Sequence, residues 1–137
     1  MPTLVQSELP RVRLTVAGKE AVLQLYDNIT SRGFLQQLPL SLQLSDYAQT
    51  EKIAYLPIRP ATRGAPPGFA PSAGDVTYYA PWGNLAIFYK DFGFASGLIS
   101  LGVVESGLDE LASLSHKHSV HLELIMASTQ ARQPSRA

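Results

Sequence analysis

The chain has 137 residues, with 11 Lys and Arg balancing 11 Asp and Glu, and it contains no Cys. A domain of this length buries enough surface to fold without a disulfide or a metal, and the missing cysteines exclude disulfides, thiol nucleophiles, zinc fingers and iron–sulfur sites. The balanced charge argues against a general nucleic-acid-binding surface. No run approaches the roughly 18 apolar residues of a membrane span, and Met1 to Pro10 lack the pattern of a signal peptide. We therefore expect a cytoplasmic protein that binds neither nucleic acid nor membrane.

The first part of the chain has the pattern of a β-hairpin. After a lead-in over residues 1–10, apolar and polar side chains alternate from Val12 to Val16, a period typical of a half-buried strand. Gly18 provides a tight turn into a second apolar run over residues 21–26. These two segments are predicted to pair as antiparallel strands.

Two short segments depart from this period and predict helices. Asn28 can accept hydrogen bonds from the free amides of a following turn, and the apolar side chains from Phe34 to Leu38 share one helical face before Pro39 ends it. Ser106 and Asp109 have the spacing of a capping box, followed by Leu at positions 108, 111 and 114.

The remaining apolar runs predict six more strands. Residues 40–44 and 120–126 alternate in polarity, whereas residues 53–56, 76–79, 85–89 and 98–104 are almost continuously apolar, as in strands buried on both faces. Eight strands and two short helices predict a mainly β fold. We expect a closed or nearly closed eight-stranded barrel capped by the helices, because closure removes exposed strand edges. This single domain is predicted over residues 11–127, followed by a flexible tail over residues 128–137.

A proline-rich loop follows the fourth predicted strand. Residues 57–74 contain five Pro, three Gly, two Arg and no acidic residue. Loops of this length in compact domains are usually functional or disordered, and Phe69 supplies an apolar anchor. Arg59 and Arg63 could bind a carboxylate or phosphate through paired donors, although two solvated charges on a loop are the simpler interpretation.

The segment from Gly74 to Tyr89, GDVTYYAPWGNLAIFY, is the most distinctive part of the chain. Together with LYDN at 25–28, LSDY at 44–47, EKIAYLP at 51–57 and DFG at 91–93, it resembles the bacterial cyclophilin-like domain family over roughly residues 11–114. The resemblance implies an eight-stranded barrel capped by two helices, the architecture of the cyclophilin peptidyl-prolyl isomerases. It implies much less about activity, because one fold hosts many functions.

The residues that isomerase activity would need are not evident in the matching strands. The resemblance implies an Arg on one strand that polarises the prolyl amide, and a Gln and a Phe on a neighbouring strand. Residues 53–56 contain no Arg, and residues 84–88 carry Leu and Ile where Gln and Phe are expected. The hydroxyl of Tyr55 is a weaker donor than a guanidinium, so activity would require Arg59 or Arg63 to enter from the long loop. No catalytic residue is assigned.

Aromatic side chains are concentrated around the segment Pro81-Trp82-Gly83-Asn84. An aromatic concavity with few polar groups suits a proline-containing peptide or a flat small molecule, although core packing would use some of the same rings. Trp82 either walls this groove or caps the barrel end, and strand parity places only one of Tyr78 and Tyr79 inside the barrel. The predicted ligand-binding groove consists of Tyr55, Arg59, Arg63, Phe69, Tyr79, Trp82 and Asn84.

The other polar clusters predict no site. His116, His118 and His121 lack a third ligand of fitting parity, so no metal site and no cofactor are predicted. Asp46 and Glu51 are interpreted as flanking a turn. No hydrolase or nucleotide-binding motif occurs.

Three interpretations stay open at this stage. The first is a non-catalytic module that binds a peptide or small molecule, and the second is a peptidyl-prolyl isomerase with an altered catalytic set. The third is a structural or assembly subunit, and a homo-oligomer is compatible with each of the three.

Overall fold

Eight strands pair into one closed antiparallel barrel, as the apolar runs predict. The computed structural model describes residues 9–125. In chain order the barrel strands are β1 (Arg11–Val16), β2 (Lys19–Leu25), β3 (Leu40–Tyr47), β4 (Glu51–Tyr55), β6 (Asp75–Tyr79), β7 (Asn84–Phe88), β9 (Leu98–Ser106) and β10 (His118–Leu124). Their order around the barrel is β1-β10-β3-β4-β7-β6-β9-β2, so each has a partner on both sides. Three predicted segments lie wholly or partly outside the described residues: residues 1–8 of the lead-in, Met126 of the last predicted strand, and the tail over residues 128–137.

The barrel interior is filled by side chains from alternate strand positions. On β1, for example, Leu14 lies between its register partners Ala21 on β2 and Leu122 on β10, and all three are buried. Tyr78 belongs to this core, whereas Tyr79 packs on the outer side of β6. This confirms the prediction that only one of the two tyrosines points into the barrel.

A second apolar cluster covers part of the barrel's outer face. It consists of Ile53, Ala86, Phe88 and Leu98, with Phe69, Tyr79 and Ala95 packed against it. Two further short strands, β5 (Gly68–Phe69) and β8 (Ala95–Ser96), pair with each other as a ribbon outside the barrel and contribute to this cover. All five residues of β7 are buried as a result, which confirms the predicted burial on both faces for this strand, whereas Tyr55 on β4 is exposed.

The first helix, α1 (Ile29–Leu35), begins as the sequence predicts. The Asn28 side chain accepts a hydrogen bond of 2.8 Å from the Ser31 amide. Gly33 lies inside the helix because the long loop packs directly on it, and a Cβ at this position would lie only 2.8 Å from Cβ of Pro60.

The second helix, α2 (Leu108–Ala112), corrects the predicted capping box. Its N-cap is Gly107, with φ of 90°, and no side chain donates or accepts a capping hydrogen bond. Ser106 is instead the last residue of β9, where it pairs with Val22 on the neighbouring strand β2. The strand pairing therefore holds this serine in extended backbone, one residue too early to cap the helix.

An ion pair that the sequence analysis did not anticipate lies inside one end of the barrel. The Lys52 side chain is only 2% exposed, and its ammonium lies 3.1 Å from the Asp46 carboxylate. Lys52 also donates to the Leu114 carbonyl and lies over the ring of Tyr89, whose hydroxyl donates to Asp46. Burial opposes ionisation of Asp46, but the hydrogen bonds from Tyr89 and Lys52 outweigh it and lower its pKa.

No helix among residues 9–125 is both long enough and apolar enough to cross a bilayer.

Candidate functional site

Two cavities adjoin the β5–β8 ribbon, one lined in part by β5 and the other by Ala95 of β8. The larger, about 440 Å³ and here called the loop cavity, is lined by residues 26, 28–30, 63–66, 68–69 and 98–100. The smaller, about 190 Å³ and here called the aromatic cavity, is lined by Tyr47, Glu51, Ile53, Tyr79, Trp82, Asn84, Phe88, Phe92, Ala95 and Leu98. Leu98 lines both cavities, which are therefore neighbours.

The floor of the aromatic cavity is the outer face of two paired strands. Glu51 on β4 pairs with Phe88 on β7, and Asn84 lies four positions further along the same ladder. Residues an even number of positions apart on a strand face the same side of the sheet. The four positions from Phe88 to Asn84 correspond to about 13 Å between their Cα atoms. Glu51 and Asn84 thus mark opposite ends of an elongated floor.

Trp82 forms the aromatic wall of this cavity. It belongs to the turn between β6 and β7, and its ring packs edge-to-face against Tyr79 at 5.4 Å and against Tyr47 at 5.6 Å between centroids. The Trp82 side chain is still 44% exposed. The indole therefore spans from β6 to β3 with part of its surface available to a ligand.

Arg59 supports the turn that carries Trp82. Its guanidinium donates a hydrogen bond of 2.8 Å to the Ala80 carbonyl. Gly83, with φ of 79°, adopts a backbone conformation that favours glycine, and a Cβ there would lie 3.1 Å from Cζ of Arg59. Burial raises the pKa of Tyr78, while the charge of Arg59 and a hydrogen bond between the two side chains act in the opposite direction. Arg59 is thus engaged with the turn and does not line the aromatic cavity.

Asn84 carries an unpaired acceptor at one end of the cavity floor. The side chain is 1% exposed, and its amide nitrogen donates to the Leu85 carbonyl at 2.9 Å. Its carbonyl oxygen Oδ1 is buried and has no hydrogen-bond partner. Buried polar atoms are nearly always paired, because leaving one unpaired costs about 1–3 kcal/mol.

Glu51 provides an ionisable group at the other end. Burial raises the pKa of its carboxyl to about 7, and the neighbouring negative charge of Asp46 adds to this effect. Near neutral pH this carboxyl therefore exchanges between its neutral and charged forms.

The structure divides the predicted groove residues between different surfaces. Tyr79, Trp82 and Asn84 lie together in the aromatic cavity. Phe69 and Arg63 line the loop cavity instead. Arg59 borders a third depression beside α1, and Tyr55, 55% exposed, lines neither main cavity.

Several lining residues were missed by the sequence analysis. The lining residues absent from the predicted groove are Tyr47, Glu51, Ile53, Phe88, Phe92, Ala95 and Leu98. Tyr47 and Glu51 are register partners across the β3–β4 hairpin. Their spacing around the turn was a usable signal, because residues that pair across a short hairpin face the same side.

The histidines near the C-terminal strand occupy the surface. Nδ1 of His121 lies 3.3 Å from the Ser41 hydroxyl, and its Nε2 lies 3.8 Å from the Glu123 carboxylate. Within residues 9–125, no three His, Asp or Glu side chains are grouped so that they could hold a metal ion.

Comparison with known proteins agrees with the barrel. The sequence profile of the cyclophilin-like family matches residues 14–124. The solution structure of a hypothetical protein from Archaeoglobus fulgidus superposes with a TM-score of 0.61 at 20% identity, over 84% of this chain and 94% of that chain. At this identity the likeness shows the fold alone. No curated protein matches the sequence.

Proposed function

The chain belongs to the cyclophilin-like family, and we propose that it is a non-catalytic binding module that takes a peptide side chain or small molecule into the aromatic cavity. The observation that carries this proposal is the buried, unpaired Oδ1 of Asn84 in the lining of that cavity. A ligand with an N–H or O–H group would supply the missing hydrogen bond. The loop cavity is larger, but it contains no buried polar atom without a partner among residues 9–125.

The lining chemistry supports a small, mainly apolar ligand. Aromatic and aliphatic side chains dominate the cavity, and Asn84 and Glu51 are its non-aromatic polar residues. Binding sites of this kind gain affinity from apolar contact and orientation from a few polar groups. A cavity of about 190 Å³ suits a single ring or one side chain of a longer peptide, since drug-sized ligands occupy roughly 300–1,000 Å³.

The absence of catalysis is supported by the nature of the polar groups. Rotation about a prolyl bond has a barrier of about 18–20 kcal/mol, which falls only when the C–N double-bond character is weakened. In the described part of the chain no Arg or Lys lines the aromatic cavity, and Arg59 donates instead to Ala80. In a protease-coupled assay on a Xaa-Pro peptide, we expect the uncatalysed rate. Acceleration that disappears in Asn84→Leu would contradict the non-catalytic part of the proposal.

Binding can be followed through the fluorescence of Trp82, the only tryptophan of the chain. We expect a saturable change when the protein is titrated with a panel of small apolar compounds and proline-containing peptides. Asn84→Leu removes the acceptor at similar size and should weaken binding about tenfold, which corresponds to about 1.4 kcal/mol of lost hydrogen bonding.

Arg63→Ala is the matched control, because it alters the loop cavity and leaves the aromatic cavity intact. We expect its affinity to equal that of the wild type. A fluorescence response that is absent across the panel, or that is lost in Arg63→Ala and kept in Asn84→Leu, would refute the proposed site.

A further inference from the structure

We infer that the aromatic cavity selects organic cations, holding an ammonium group against Glu51 and the aromatic rings beside it while a small apolar body extends along the floor toward Asn84. This inference rests on the proposed function and specifies its ligand. It follows from the charge, the hydrogen-bonding capacity and the aromatic character of the lining.

The first step concerns charge. Among residues 9–125, Glu51 is the one acidic side chain in the lining, and no Lys, Arg or His lines the cavity. Lys52 follows Glu51 in β4 but faces the barrel interior, where Asp46 neutralises it. The field inside the cavity is therefore negative whenever Glu51 is ionised, which favours a cationic ligand.

The second step concerns hydrogen bonding. Oδ1 of Asn84 is an acceptor without a partner. None of the ion pairs formed within the described residues involves Glu51. An ionised carboxylate and an amide oxygen can only accept, so the ligand must donate. An ammonium group has donors and no acceptor, and therefore matches the carboxylate.

The third step concerns the rings next to the carboxylate. Glu51 has Tyr47 as its register partner on one side and Phe88 on the other. Cross-strand partners have Cβ atoms about 4.5–5.5 Å apart, so a cation held by the carboxylate also lies within reach of aromatic faces. Trp82 packs against Tyr47 and extends the aromatic surface. Ring faces attract cations through their quadrupole, most strongly for Trp.

Protonation of Glu51 then makes cation binding depend on pH. Its carboxyl has a pKa of about 7 in the absence of ligand. The titratable groups near it are Asp46 and Tyr47 on β3 and Tyr89 after β7. Hydrogen bonds lower the pKa of Asp46, and burial raises that of Tyr89 to about 12, so neither changes charge near neutrality. An alkylammonium ion also stays charged there. Affinity should rise with pH until Glu51 is fully ionised.

The test compares three ligands with the same apolar body: cyclohexylmethylamine, cyclohexylmethanol and cyclohexanecarboxylate. At about pH 8 we expect the amine to bind at least tenfold more tightly than the alcohol by Trp82 fluorescence, and the carboxylate more weakly than both. Lowering the pH by about two units should reduce the amine's affinity roughly tenfold, because Glu51 is then about nine-tenths protonated. The affinity of the alcohol should not change.

Glu51→Gln should remove both the preference for the amine and its pH dependence while the alcohol still binds. The pH series on the wild type gives an independent readout should this variant be unstable. A prolyl dipeptide amide, with its amino terminus free or acetylated, distinguishes the sources of the ammonium group. Tighter binding of the free form identifies a peptide amino terminus as an acceptable source, and selectivity for the simple amine alone identifies a small metabolite.

The outcomes separate this inference from the proposed function. Equal affinities for amine and alcohol, both weakened by Asn84→Leu, would overturn the cation preference and leave the binding module standing. Tightest binding of the carboxylate would also overturn it. If no compound in either panel changes Trp82 fluorescence, both proposals fail.

Discussion

Replacing Glu51 by Gln is expected to remove a pH dependence from the free energy of unfolding. The pKa of this carboxyl is about 7 in the folded protein, against a reference value of 4.5, a difference of 2.5. At 1.36 kcal/mol per pKa unit the upper limit is about 3.4 kcal/mol. The group is half-buried, so screening by solvent reduces the expected effect to about 1–2 kcal/mol.

The direction of the effect follows from proton binding. Between pH 4.5 and about 7 the folded protein holds a proton on Glu51 that the unfolded chain has released. The contribution to stability is therefore fully present below the unfolded pKa and is lost as the pH rises through the folded pKa. Above the folded pKa Glu51 is ionised in both states, so it adds no further pH dependence to the free energy of unfolding.

Urea unfolding of the wild type and the Gln variant at several values between about pH 4.5 and about pH 8 tests this directly. The wild type should lose about 1–2 kcal/mol relative to the variant across this range. All other ionisable groups are the same in the two proteins, so their contributions cancel in the difference. A difference in unfolding free energy that does not change with pH, or that shifts in favour of the wild type as the pH rises, would refute the burial of Glu51 described above.

The barrel itself yields two further predictions, the second with a matched control. Asp46→Asn leaves the ammonium of Lys52 buried without its carboxylate, and should lower the unfolding free energy by about 3–5 kcal/mol; a loss below about 1 kcal/mol in urea would contradict this. Gly102→Ala would place a Cβ 2.0 Å from the Gln24 carbonyl oxygen, so overpacking should cost about 1–3 kcal/mol or more. Gly93→Ala is its control, because nothing lies within 4 Å of that Cβ, and its free energy of unfolding should stay within about 0.5 kcal/mol of the wild type. Equal effects of the two alanines would show that backbone entropy, and not the close strand approach, governs position 102.

The candidate site was predictable only in part, and the reason lies in the ribbon. Trp82 and Asn84 are close in sequence and sit at one turn, so a local pattern was enough to associate them with Tyr79. Phe69 was expected in the same groove, but the two-residue strand that carries it pairs with β8, and Phe69 lines the loop cavity instead. A pairing of two residues has no periodicity, so no local signal places it.

Glu51 and Lys52 illustrate the same limit for charged residues. In the sequence they are adjacent charges beside a turn. The β3–β4 register places Glu51 beside Tyr47 on the outer face and Lys52 beside Asp46 in the interior. Only this pairing brings the Glu51 carboxyl into the aromatic cavity and lets the Lys52 ammonium form a buried ion pair with Asp46.

The amino-acid sequence alone predicted the eight barrel strands and the first helix cap, because alternation of polar and apolar side chains acts over a few neighbouring residues. The tertiary structure decided the failed capping box at Ser106, the burial of Lys52 and the lining of the aromatic cavity. Each of these depends on which distant strand supplies the partner, and that choice is made when the barrel closes and not within any single segment.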